Sequence, residues 1–116
     1  MKTILRNFSL ALALLTPQIQ AATSIPQLVE KITPSVIEWR RDIHQNPELS
    51  NREYRTSRVV AEHLRSLGLE VKTNIAKTGV VGILRGSIDG PVIALRADMD
   101  ALPVTEKTGL PYASTV

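Results

Sequence analysis

Residues 90–103, GPVIALRADMDALP, set four unbroken apolar residues, Val92 to Leu95, ahead of two aspartates one residue apart and a closing proline. An unbroken apolar run bounded by Gly-Pro reads as a strand covered on both faces, the arrangement of sheets flanked by helices. In open α/β sheets, ligands gather beyond the carboxyl ends of the strands, where side chains leave the sheet while the backbone is still held. Asp98 and Asp100 fall at such an edge. Alternate residues of an extended segment point the same way, so both carboxylates can face one site while Met99 turns into packing. Like charges that close repel unless a cation, a proton or hydrogen-bond donors neutralise them. On spacing alone, a turn-capping aspartate and a solvated one, with Arg96 as partner, accommodate the pattern equally well. Asp-x-Asp also occurs in phosphatases and sugar transferases, but here no threonine follows in the manner of the aspartyl-phosphate enzymes and no glycine-rich phosphate cradle is present.

Upstream of this stretch the hydrophobic period changes once. LEVKTNI, 69–75, alternates apolar and polar residues as a half-buried strand does, and GVVGILRG, 79–86, is a glycine-bounded second strand. SIDGP, 87–91, carries turn chemistry between that strand and the apolar run. Before Gly68 the spacing is helical. SIPQ, 24–27, offers a serine cap, an early proline and Gln27 three residues after the cap. Thr33-Pro34 then restarts or kinks the helix, which continues through Val36, Trp39 and Ile43 until Pro47 stops it. SNRE, 50–53, reads as a second capping box, opening a helix with Val60, Leu64 and Leu67 on one face and Gly68 as its stop. Two helices followed by strands predict an α/β fold with a mixed or mostly parallel sheet.

The N-terminus is of a different kind. MKTILRNFSLALALLTPQIQA has a basic start at Lys2 and Arg6, a short apolar block from Phe8 to Leu15 and a small residue, Ala21, at a cleavage position. These are the three parts of a secretory signal, and the apolar block is far shorter than the roughly 20 residues needed to span a bilayer. We therefore expect a signal peptide over 1–21, one catalytic-domain segment over 22–116, a secreted or periplasmic location and no stable membrane anchor. Removing Lys2 and Arg6 takes the formal charge from +3 to 3 − 2 = +1. The remaining basic residues are interspersed with acids and aromatic residues are few, so nothing favours nucleic acid as a partner. The chain has no cysteine, so packing alone must stabilise the exported product.

Four ordered blocks, WRRDIHQNPELSNREYRTS, LGLEV, TGVVGILRG and GPVIALRADMDALPVTEKTGLPYAS, together resemble the N-terminal part of the zinc-type amidohydrolases. That family includes hippurate hydrolases, aminoacylases and indole-acetyl-amino-acid hydrolases. The resemblance runs from about Ile25 to Val116. It implies the first part of an α/β metallopeptidase-like catalytic domain, with a smaller lid domain later in the chain through which homo-oligomers could form. The implied substrate is a small N-acyl amino acid or peptide, and the implied cofactor is a divalent metal pair, zinc foremost, with manganese, cobalt or nickel as alternatives. In such centres the metals lower the pKa of bound water and polarise the carbonyl, and a glutamate acts as base.

The wider family reads His-x-Asp at the end of this strand, the histidine binding metal and the aspartate orienting it. Asp98 stands here in the histidine's place and Asp100 in the aspartate's. In the subgroup resembled, an aspartate is normal there, and ligation passes to a cysteine-glycine-histidine block, a glutamate and further histidines downstream. This sequence contains none of those, so the principal ligands are expected beyond Val116 and no metal ligand is assigned within it. Asp100, with Asp98 lining the site, is the candidate for the catalytic edge. His44 reads as a helix-ending residue at the negative end of the dipole rather than a ligand. His63, beside Glu62, reads as a surface residue. Glu48 and Glu53 read as turn and capping residues, and Arg96 as the partner of a neighbouring carboxylate. The functional expectation is an exported metal-dependent amidohydrolase, represented by an N-terminal fragment inactive alone. The alternative is a truncated non-catalytic relative or a small binding module.

Overall fold

A computed structural model describes residues 23–116, so the expected signal segment lies outside the described residues. The first helix, α1, runs over Ile25–Gln45. Its start is the one its sequence predicts: the Ser24 N–H donates to Gln27 Oε1 at 3.0 Å, the backward half of a capping box, and Pro26 sits in the first turn. Pro34 does not restart the helix, which passes through it unbroken. The Thr33 hydroxyl turns back to the carbonyl of Val29 at 2.7 Å, a local side-chain bond one residue before the proline. Asn46 closes the helix, donating from its backbone to Asp42 O and Ile43 O and from its side chain to Asp42 O at 2.9 Å. Pro47 prevents a further turn.

The second helix, α2, spans Tyr54–Ser66 and starts differently from expectation. Ser50 does not cap it. Instead the chain turns through Ser50 and Asn51, whose φ is 63°, and the free N–H groups of Arg55 and Thr56 point at Glu48, bonding Oε1 at 2.9 Å and Oε2 at 2.7 Å. A carboxylate from seven and eight residues back thus does the work a local serine was expected to do, and its charge suits the positive end of the helix. The other terminus follows its sequence. Gly68, at φ 80°, ends α2 in a Schellman arrangement: its N–H reaches Arg65 O at 2.9 Å and the Leu69 N–H reaches Leu64 O at 3.2 Å.

Strands β1, Glu70–Ile75, and β2, Gly79–Ile83, form an antiparallel hairpin. The pairing slips between Lys72 and Ile75, where Asn74 takes φ 60°, and the turn itself holds Ala76 and Lys77 at positive φ. Gly79 fits this tight return because a Cβ there would lie 2.5 Å from the Ile75 carbonyl oxygen. At Gly82 a Cβ would meet Leu64 and Leu69 side chains at 3.1 and 3.2 Å, so α2 rests directly on the hairpin backbone. The core at this junction is small and mixed: Ala61 with Thr56, Ser57, Thr78 and Glu53. The Thr78 hydroxyl donates to Glu53 Oε2 at 2.6 Å and ties the hairpin turn to the start of α2.

Helix, helix, strand, strand is the α/β order expected. The apolar run 92–95 is not the buried strand its composition suggests: Val92 and Leu95 are 94 % and 97 % exposed, and the segment has no ladder partner among the described residues. A strand covered on both faces exists only through neighbours that bond its edges and helices that cover it, and the described residues place none beside it. The described sheet is the antiparallel hairpin. Its expected parallel component is represented by one isolated bridge, Leu49 to Ala101, in which the Ala101 N–H donates to Glu48 O at 2.8 Å.

Candidate functional site

Asp98 and Asp100 end the extended segment that begins after β2, immediately before the bridge at Ala101. Both are exposed and the intervening Met99 is half-buried, the alternation expected of extended backbone. The two aspartates are not equivalent. Asp98 Oδ1 accepts a 2.8 Å bond from the Arg96 guanidinium, which shares its side of the segment, so Arg96 neutralises a neighbouring carboxylate as its position suggests. Asp100 is instead fixed through its backbone, since the next residue is the one bonded to Glu48 O.

The remaining candidates are held by structure. Burial pushes the Glu48 carboxyl up, but the backbone N–H groups of Thr56 and Arg55 outweigh it and hold the group below the usual carboxylate range. Glu53 is likewise held low, chiefly by the Thr78 hydroxyl, and its Oε1 accepts the Asn51 N–H at 3.0 Å. Both glutamates are therefore capping and turn residues. His44, in the last turn of α1, reaches Glu106 Oε2 at 2.8 Å from Nε2. His63 is not a free surface group. It is half-buried against Trp39, with ring centroids 4.4 Å apart, because its position on α2 faces the apolar side of α1 rather than solvent.

Glu106 belongs to the site geometry without a motif of its own. It lies 62 positions from its partner in a segment without helical or strand period, and its only sequence signal is membership of the VTEKTGLPYAS block. Its carboxyl is held below the usual range by the Ser114 N–H, the Thr108 hydroxyl and His44.

Carboxylates are hard oxygen donors suited to divalent cations, so the chemistry of Asp98 and Asp100 is compatible with a metal. No group of three metal-ligating side chains comes together among the described residues, however. The arrangement offers two carboxylates at an exposed edge and does not by itself make a metal centre.

No family model matches the chain. Individual proteins do. It is 54 % identical over 89 residues, 76 % of its length, to thermostable carboxypeptidase 1 of Saccharolobus solfataricus, and 45 % identical over 91 residues, 78 % of its length, to N-acetyl-L-cysteine deacetylase of Bacillus subtilis. Those alignments cover 23 % and 22 % of the two relatives. Among solved structures it superposes on the Bacillus subtilis YXEP protein, a dinuclear metal-binding peptidase of the M20 family, with a TM-score of 0.69 and 43 % identity, over 75 % of this chain and 24 % of that one. The chain thus spans about a quarter of the length of the relatives it matches. The ordered blocks from Ile25 onward, the helix-helix-hairpin frame and the agreement of sequence with fold together support an amidohydrolase and M20 peptidase family fragment.

Proposed function

We propose that the full-length protein is a metal-dependent amidohydrolase that cleaves the amide bond of N-acyl amino acids or small peptides, with the Asp98–Asp100 edge as one wall of its site. The observation that carries this reading is the identity of 43–54 % over about three quarters of the chain to enzymes that include a carboxypeptidase and a dinuclear metal-binding peptidase. The N-acetylcysteine deacetylase adds support for an acylated amino acid as substrate. A divalent metal pair is the proposed cofactor, held mainly by residues outside those described, with zinc, manganese, cobalt or nickel as its metal. The 116-residue chain alone is proposed to be inactive. The test is a panel of N-acetylcysteine, hippurate and simple dipeptides given to both forms, with release of free amino acid as readout. Release from at least one of them by the full-length protein, and none by the short chain, is expected. No release by the full-length protein from any of them, with each of the four metals supplied, would overturn the reading.

Residues 1–21 are proposed to direct export to the periplasm or the exterior and to be removed there. No helix among the described residues is long and apolar enough to cross a membrane. N-terminal sequencing of the protein recovered from the exported fraction should begin at Ala22, and a start at Met1 would contradict cleavage.

A further inference from the structure

The 2.8 Å contact between His44 and Glu106 is the centre of a larger closure. Glu106 Oε2 also accepts the Ser114 N–H at 2.6 Å, and Oε1 accepts the Thr108 hydroxyl, so one carboxylate gathers the loop 106–114 on itself. The next residue, Thr115, gives both its N–H, at 3.1 Å, and its hydroxyl, at 2.7 Å, to the carbonyl of Gln45. That carbonyl belongs to the last turn of α1, where no helical donor remains. Arg41 lies over the Tyr112 ring, 4.6 Å from its centroid, and the His44 ring meets Tyr112 edge-on at 6.3 Å. At the other end of the same segment the Ala101 N–H holds Glu48 O. The stretch 101–115 is therefore fastened at both ends to the turn between α1 and α2, and Asp100 directly precedes the first fastening.

We propose that Glu106, with His44, is a positioning residue whose clasp seats the segment carrying Asp98 and Asp100 on the two-helix frame. The carboxylate is the keystone because, among the described residues, it alone bonds α1, the start of the loop and its end. The clasp itself stands on this geometry. Its bearing on catalysis rests on the proposed role of Asp100, and the two are tested by different readouts.

Amide hydrogen exchange on the 116-residue chain tests the clasp. Glu106→Ala should speed exchange of the Ala101 and Thr115 amides by at least about tenfold while the Ser57 amide of α2 and the Leu67 amide that caps its end keep their rates, the signature of a local opening. Glu106→Gln, whose amide oxygen can still accept the Ser114 N–H, should stay within about threefold of wild type. Wild-type rates at Ala101 and Thr115 in Glu106→Ala, or equal acceleration of the α2 amides, would overturn the proposal. In the full-length enzyme, Glu106→Ala should lower kcat at unchanged KM and Glu106→Gln should recover it. An unaltered kcat despite accelerated exchange would overturn the positioning role, whereas a fully active Asp100→Asn would instead strike at the reading of the site.

Discussion

Replacing Asp100 with asparagine in the full-length protein should lower the hydrolysis of an N-acyl amino acid by about 10–100-fold, the range seen when a group supporting a metal centre loses its charge. Folding should be unaffected. Asn matches Asp in size, Asp100 is exposed, and no core contact depends on it. What is lost is the negative charge at the one point of the edge that the backbone fixes, next to the Ala101–Glu48 bond. The same change at Asp98 should cost less, since Arg96 already neutralises that carboxylate. Steady-state kinetics with circular dichroism as a check of folding measure both effects. Wild-type kcat/KM in Asp100→Asn would remove that residue from the site.

Glu48→Ala should destabilise the fold by about 2 kcal/mol, at the upper end of the cost of losing a helix cap. Two donors lose their acceptor at once, and Thr56, 1 % exposed, cannot turn its N–H to water without opening the junction of α2 with the hairpin. Glu48→Gln keeps an acceptor oxygen and should fall between the two. The loss has a pH signature. Because the Glu48 carboxyl is held below its ordinary value of 4.5, its contribution is complete above that value and disappears as the pH falls through the lowered folded value. Urea midpoints of wild type and Glu48→Ala should therefore differ at pH 7 and converge as the pH falls through the lowered folded value, below 4.5. A constant gap across that range would mean the stabilisation does not come from the ionised carboxylate.

Where the physics is local, the sequence was sufficient. Ser24 with Gln27, Pro47, Gly68 and the alternation in residues 69–75 each act within a few positions, and each element begins or ends where those residues require. The misreadings share one cause, a partner from elsewhere. Ser50 reads as a cap because the capping-box rule spans three residues, while the acceptor used is Glu48, outside that window. His63 reads as a surface residue beside Glu62, but the approach of Trp39 from α1 decides its burial. Residues 92–95 have the composition of a covered strand, and composition supplies neither flanking strands nor covering helices. In the candidate site, Asp98, Asp100 and Arg96 were legible because one extended segment carries all three. Glu106 was not, since its meaning arises only when the chain returns to α1.

The central proposal, that the full-length protein is a metal-dependent amidohydrolase, is tested most directly by following amino acid release by that protein before chelation, after EDTA and dialysis, and after metal is returned. Activity that falls to background on chelation and returns with a divalent ion is the predicted result. Hydrolysis that persists undiminished in the metal-free protein would contradict it.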